Sequence, residues 1–390
     1  MSSHPASRTS NSLFWYFLIP GLTLYFHALA IDEIYRTLIY LNIAIIVVLA
    51  FRFGTLFRTK MVWLIVLTPL VLIIFNVLSG QEIALKVIRH LLSFMCITLG
   101  LLMLPAKELI DDRRLNILYW FSLGLVVSYA LIQGGAVYLL GDRDGTPRNP
   151  HYLAQYCLLL LYVSAFLYSI STRRIKIVLT GTMILLALLL VNTGSRTAWL
   201  ALLISGTIYY LLLRHRVSWK VPLVIAAGLM LAYIANLGGL KARTDDLAEN
   251  ITREERVTIW RNTVQMQLES TPRAWLFGHG IDSFKQDFKK HSQYHLEGID
   301  FNAPHNHALE ILYTSGILGL TWVAGLIFYL FLTLYRHWRR TPDSWMPATL
   351  IALLSANMLF GAITISFFSS YSLLIFSVVA GLLIHRNKSS

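Results

Sequence analysis

The chain has 390 residues, of which 56% are hydrophobic and only 14% charged. A soluble domain carries about 25% charged residues, so one water-facing globule is excluded. The net charge of +13 would suit a nucleic-acid binder, but most of the basic residues sit in short segments between apolar runs, which is a membrane pattern, so no nucleic-acid partner is expected.

Apolar runs long enough to cross about 30 Å of hydrocarbon as helices recur along almost the whole chain. They predict twelve spans, near 13–30, 35–51, 61–79, 88–104, 115–140, 152–171, 177–192, 197–213, 221–238, 308–334, 346–364 and 367–384. The first run has no small-residue cleavage site and leads straight into the next, so it reads as a span and not a removable leader. Alternate connecting segments, starting with the N-terminus, carry 18 Lys/Arg, and the other short loops carry six: Arg36, Lys86, Arg89, Arg143, Arg148 and Arg196. Positive charge stays inside. Both termini are therefore expected in the cytoplasm, and the long segment 239–306 outside, which in a bacterium is the periplasm. The expected fold class is an all-α polytopic membrane protein with about twelve transmembrane helices and one large, mostly helical periplasmic loop. Its divisions are 1–238 with nine helices, 239–306 as the loop, and 307–390 with three helices.

Lys86 and Arg89 fall about one helical turn apart, on the side the charge rule disfavours. They read either as snorkelling residues at a helix end or as substrate ligands. The loop 141–151 is rich in Gly and Pro, which marks turns. It carries Arg143, which Asp142 and Asp144 can neutralise, and Arg148, which has no acidic neighbour in sequence. Cys96 and Cys157 lie inside apolar runs and read as packing residues; neither a disulfide nor a metal pair is expected.

Arg196 follows the break Asn192-Thr193-Gly194-Ser195 between two apolar runs, and no carboxylate occurs from 145 to 244. It is either an interfacial arginine beside Trp199 or a buried one kept for a ligand. In 239–306, ten acids face nine bases. Residues 253–268 predict an amphipathic helix with Val257, Trp260, Val264 and Leu268 on one face, flanked by Arg253, Arg256 and Arg261. Such a helix can lie on a membrane surface and hold an arginine over the bundle, although Glu254 and Glu255 allow a plain salt-bridged face for Arg253. Gly278-His279-Gly280 reads as a tight turn and not as a dinucleotide fingerprint, since no strand precedes it and no third glycine follows.

The polar segment ends at His305, Asn306, His307 and Glu310, where it enters an apolar run. Polar groups entering a span are expensive, so they call for a reason. Arg148, Arg196, Arg256 and His305 all fall on the outer side. Planar guanidinium forks suit phosphate, and fixed cations in a low-dielectric site stabilise a departing diphosphate. A histidine can take the proton of an attacking hydroxyl, and Glu310, near the face of His307, could orient such a ring. The bland alternative for each histidine is a helix cap. No His/Cys or paired-carboxylate cluster suggests a metal, and no cofactor is implied.

His305-Asn306, the nine residues 307–315, Gly316 and Gly319 make the pattern His-Asn-x9-Gly-x2-Gly. With Arg196 at the outer end of a middle span and Arg256 shortly before Trp260, it resembles the O-antigen ligase and polymerase superfamily. That resemblance implies a metal-independent, inverting glycosyl transfer from an undecaprenyl-diphosphate-linked O-antigen donor to a lipid A-core acceptor, at the periplasmic face of the inner membrane of a Gram-negative bacterium. It implies His305 as general base and Arg148, Arg196 and Arg256 as diphosphate ligands, with Arg143, Lys86 and Arg89 in second rank. Asn306, His307 and Glu310 would support them. After Gly319 the chain reads Leu320-Thr321, off the commoner Gly-Thr ending of the ligases. A polymerase of the Wzy type is the nearest rival. A glycolipid transporter is less favoured, for want of an internal repeat or a mid-span acid.

Overall fold

The computed structural model describes residues 18–31, 33–41, 60–80, 112–141, 149–236, 255–291, 301–342 and 344–369, with positions 44, 91, 241 and 372. Among these residues the chain is helical and contains no strand. Its main helices are α1 (Leu18–Ala28), α2 (Lys60–Ser79), α3 (Asp112–Gly134, running on as a π turn, Gly135–Leu139), α4 (Pro150–Ile170), α5 (Arg173–Asn192) and α6 (Arg196–Leu213). They continue as α7 (Lys220–Ile234), α8 (Glu255–Leu268), α9 (Pro272–Phe277), α10 (Phe284–His291), α11 (His307–Arg340) and α12 (Trp345–Ile363). Helices suit these apolar sequences because hydrocarbon offers the backbone no hydrogen-bond partner, and a helix pairs its own.

Among the described residues, six segments are long and apolar enough to cross a membrane: Tyr119–Leu139, α4, α5, α6, α11 and α12. They coincide with six of the predicted spans. In α2 the stretch Leu67–Ser79 is a shorter apolar helix, and α7, at 15 residues, is shorter than the span expected there. The predicted spans at 35–51, 88–104 and 367–384 lie in large part outside the described residues, as do Lys86, Arg89, Arg143, Arg148, Arg253 and Cys96. Cys157 is fully buried in α4.

The central helix is α12. Its span is 72% buried within the protein, against 28% for α5 and for α11, and it packs on α6, α4 and α11. Ala348, Ala352 and Ala356 recur along it at four-residue intervals and are buried, while α6 contributes buried Ala198, Ala201 and Ser205. Small side chains let backbones approach closely, which matters where lipid is as apolar as the protein. Hydroxyl pairs cross the bundle: Tyr162 with Ser205 at 2.6 Å and Thr197 with Thr364 at 2.7 Å.

Helices α8, α9 and α10 form a small outer body. Ile259, Met266, Phe284, Phe288 and Phe301 cluster with Tyr313 of α11. Here the structure corrects the expected stripe on α8. The buried face is Ile259, Thr263, Met266 and Gln267, and Val264 and Leu268 are exposed. The aromatic cluster of α10 and α11 sets the rotation of α8, and hydrophobicity along the sequence does not reveal where those rings lie.

This body grips α11 at a break. Gly316 has φ 69° and ψ −172°, so the helix bends there. The carbonyls of Tyr313 and Thr314, released by the bend, accept from the N–H groups of His279 and Gly280 at 2.8 and 3.0 Å. Gly278 has φ 83°, and a Cβ added there would lie 2.3 Å from the backbone of Thr314 and Ser315; one added at Gly316 would lie 2.3 Å from the Leu276 carbonyl. The expected tight turn at 278–280 is thus the surface that docks on the kink. Two further bonds tie the body to the end of α2: Ile281 N–H to Asn76 Oδ1 at 2.7 Å, and Arg273 Nε–H to the Leu78 carbonyl at 2.8 Å.

Candidate functional site

Four helices begin at one place. Asn149 caps α4, its side chain accepting from His151 N–H at 2.9 Å, with Pro150 in the first helical position. Ser195 caps α6 by accepting from Ala198 N–H. Asn306 caps α11, its Oδ1 accepting from Leu309 N–H at 3.0 Å while its Nδ2 donates to the Ala362 carbonyl at 2.9 Å. Helix α8 brings Arg256 in its first turn. The starts of α4, α6 and α11 present the positive ends of their helix dipoles here.

A series of contacts links these ends. His151 Nδ1 meets Ser195 Oγ at 3.1 Å, and His151 Nε2 meets Arg256 Nη2 at 3.4 Å. The Arg256 charge acts on the ring of His305, which also has the Thr364 backbone beside it. Thr364 Oγ1 bonds to Thr197 Oγ1 at 2.7 Å, and Thr197 lies two residues beyond Ser195. Arg196 is the half-buried first residue of α6, between Ser195 and Thr197.

His305 is held in a costly conformation. Its φ is +53°, and a non-glycine residue in the left-handed region costs on the order of 1–3 kcal/mol unless its surroundings enforce it. Here they do. Trp260 Nε1–H on α8 donates to the Pro304 carbonyl at 3.0 Å, and Asn306 is fixed at both ends of its amide. Burial pushes the His305 imidazole below the ordinary histidine value; the nearby Arg256 charge pushes it the same way, and a backbone hydrogen bond at Thr364 partly opposes both. Its Nδ1 is buried and has no hydrogen-bond partner among the described residues. The ring is therefore neutral at neutral pH and able to accept a proton.

The other two polar residues of the motif face inward. His307 is buried, bonds Ser372 Oγ through Nε2 at 3.2 Å and packs edge-on against Phe367. Its ring occupies the space that a side chain at Gly361 would take, 1.9 Å from that missing Cβ. Glu310 accepts from Ser366 Oγ and from Phe367 N–H at 2.6 Å. Its carboxylate thus braces the turn after α12, where Thr364 sits, and among the described residues it bonds no histidine. That differs from the role expected of it. The reason is that the turn brings its own donors to the face of α11 that Glu310 shares with His307.

Of the predicted site residues, the structure brings Arg196, Arg256, His305 and Asn306 to this junction, with His307 and Glu310 behind it. Sequence reasoning missed His151 and Thr364. The first had a readable signal, an Asn-Pro-His run that starts a helix; the second, following α12 across the bundle, had none. Away from the junction, His279 stacks on Tyr313 with ring centroids 4.3 Å apart and meets Ser270 Oγ at 2.6 Å. It clasps the far end of α8 to the kinked helix. Burial lowers its pKa most, and His291 adds to that, while Asp287 works against both.

The class defined by these observations is a multi-pass helical membrane protein with a cationic, histidine-bearing site at a cluster of helix ends. A family model described as O-antigen ligase matches residues 181–324. The matched segment includes Arg196, Arg256, His305, Gly316 and Gly319. No curated protein matches the chain.

Proposed function

We propose that this chain is an O-antigen ligase. It transfers O-antigen polysaccharide from undecaprenyl diphosphate to lipid A-core at the periplasmic face of the bacterial inner membrane, with both termini in the cytoplasm. The reading rests chiefly on the junction of helix starts, where Arg256 bonds His151 and Trp260, one turn further along α8, bonds the Pro304 carbonyl beside His305. Helix N-termini and guanidinium groups together favour a dense anion such as a diphosphate. In this scheme His305 removes the proton from the acceptor sugar hydroxyl. The oxygen attacks the anomeric carbon on the face opposite the diphosphate, so configuration inverts. The bond from that carbon to the diphosphate breaks with its electron pair on the phosphate oxygen. Arg196 and Arg256 hold that charge as it develops, joined by Arg148 and, in second rank, by Arg143, Lys86 and Arg89. The scheme uses no metal or cofactor.

The test is His305→Ala in a strain deleted for the gene, with membrane levels checked and lipopolysaccharide run on a gel. Wild type restores a ladder on core, whereas the variant leaves bare core and accumulates undecaprenyl-linked polymer. A full ladder from the variant at normal level would remove the general-base role. A deletion strain that still attaches single repeat units to core would make the protein a polymerase of the Wzy type instead.

A further inference from the structure

We propose that α9 is a membrane-interface element: Arg273 binds a phospholipid phosphate and Leu276 enters the acyl boundary beneath it, so that the bilayer itself helps to hold the outer body. This goes beyond the ligase reading and does not depend on it. Two helices act as rulers for the boundary. Trp338 Nε1–H donates to the Leu212 carbonyl at 3.2 Å, which sets α11 level with the end of α6. From Trp338 back to the kink at Gly316 the helix covers about 33 Å, close to the roughly 30 Å of hydrocarbon in a bilayer. Helix α2 has 20 residues, or about 30 Å of length. Trp322 Nε1–H ties it to α11 by donating to Thr68 Oγ1 at 3.0 Å. The kink and the last turn of α2 therefore both lie near the outer edge of the hydrocarbon layer.

Helix α9 is fixed to both. Arg273 Nε–H reaches the Leu78 carbonyl at 2.8 Å, and the Leu276 backbone lies against Gly316. Phe277 turns inward, its ring centroid 6.1 Å from that of Phe75. The Leu276 side chain turns outward and is 45% exposed. The apolar residues beside its two attachment points are exposed as well, Val77 and Leu78 on α2 and Ile317 and Leu318 on α11. The apolar surface that the bundle gives to lipid thus continues onto α9. Arg273 stands three residues before Leu276, on the same helix face. Its guanidinium is exposed and carries five N–H donors, of which the Leu78 carbonyl takes one. Planar guanidinium forks suit phosphate oxygens, and bilayer phosphates lie just outside the hydrocarbon, where α2 ends. Half-buried Trp275 between them is a residue type that membrane interfaces favour. Helix α8 ends three residues before Thr271, the cap of α9. A bilayer seat for α9 therefore sets the height at which α8 carries Arg256.

The test places the photoreactive residue p-benzoylphenylalanine at position 276 of the full-length protein, reconstituted in vesicles of phosphatidylethanolamine and phosphatidylglycerol. The same residue at position 290, where Lys290 is exposed on α10, is the water-facing control. Illumination should give protein–phospholipid adducts, read by intact mass, at 276 and not at 290. No more adduct at 276 than at 290, or a crosslink from 276 to a second copy of the chain in place of lipid, would overturn the inference. A second measurement isolates Arg273 without a crosslinker. Phosphatidylglycerol is added back to the detergent-purified protein and the melting temperature is followed. Wild type and Arg273→Lys, which keeps the charge, should gain melting temperature, and Arg273→Gln should lose part of that gain. An equal gain for Arg273→Gln would overturn the phosphate contact. Inorganic phosphate at the same concentration should give no gain, because the seat also needs acyl chains; a gain equal to that from the lipid would make Arg273 a simple ion site and overturn the inference. Neither readout uses the transfer reaction, so either failure leaves the ligase reading intact.

Discussion

Replacing Gly316 by alanine tests whether the kink in α11 couples the outer body to the membrane bundle. At φ 69° and ψ −172° the backbone lies in a region that is essentially reserved to glycine, and any other residue there costs about 1–3 kcal/mol. The new Cβ would also lie 2.3 Å from the Leu276 carbonyl, so α9 must move off α11. That movement breaks the bonds from His279 and Gly280 to Tyr313 and Thr314, at about 1 kcal/mol each. The sum is about 3–5 kcal/mol. At about 1.4 kcal/mol per decade, that is two to four decades in the population of the docked state. Gly325→Ala is the control on the same helix, because a Cβ there meets nothing within 4 Å and alanine is the better helix former by about 1 kcal/mol. Both variants are purified in detergent, melted, and assayed for ladder formation in cells. Gly316→Ala is expected to melt well below wild type and to lose the ladder, and Gly325→Ala to match wild type or exceed it. If Gly316→Ala accumulates, melts and functions like wild type, the two backbones do not touch as described.

The remaining predictions address the site and its support. His305 must be neutral to accept a proton, so activity falls as pH drops through its folded pKa. Burial and Arg256 hold that pKa below the usual value of about 6.5, so the acid limb of the rate profile lies below that pH. Arg256→Gln removes one lowering cause, and the limb that remains measurable moves to higher pH; a shift downward contradicts the coupling. Gly361→Ala drives a Cβ into the His307 ring and should destabilise by about 1–3 kcal/mol. His307→Ser should restore the melting temperature in the double variant, and no restoration means the clash lies elsewhere. Glu310→Ala strips the acceptor from Ser366 and Phe367, costing about 1–3 kcal/mol. Glu310→Gln keeps one acceptor and should melt between wild type and alanine.

The membrane helices were legible because one signal dominates them. An uninterrupted apolar run has few alternatives in hydrocarbon, and the six described spans fall where the runs are. The residues of the helix-end junction were partly legible for a related reason: Arg196, Arg256 and His305 stand where charge or polarity meets an apolar stretch, and such residues need a partner or a ligand. What failed was rotation and long-range pairing. The buried face of α8 depends on Phe284, Phe288 and Tyr313, which reach it from other helices. Glu310 looked like a partner for a histidine because it shares a helix face with His307, but its donors come from 56 and 57 residues further along the chain.

The His-Asn-x9-Gly-x2-Gly pattern joins two different devices at fixed spacing. Asn306 starts α11 and ties that start to the end of α12, which leaves His305 just outside the helix in its left-handed conformation. Gly316, some three turns on, breaks the same helix so that the turn at 278–280 can dock there. Between these points α11 is a rigid spacer. The outer body is held at the kink through Gly278–Gly280 and near the helix start through Trp260 and Pro304. Two attachments on one rod fix both the position and the tilt of α8, and so bring Arg256 to His305. A residue inserted between 307 and 315 would rotate the kink by about 100° relative to the cap. It would therefore separate Arg256 from His305 while leaving every motif residue in the chain.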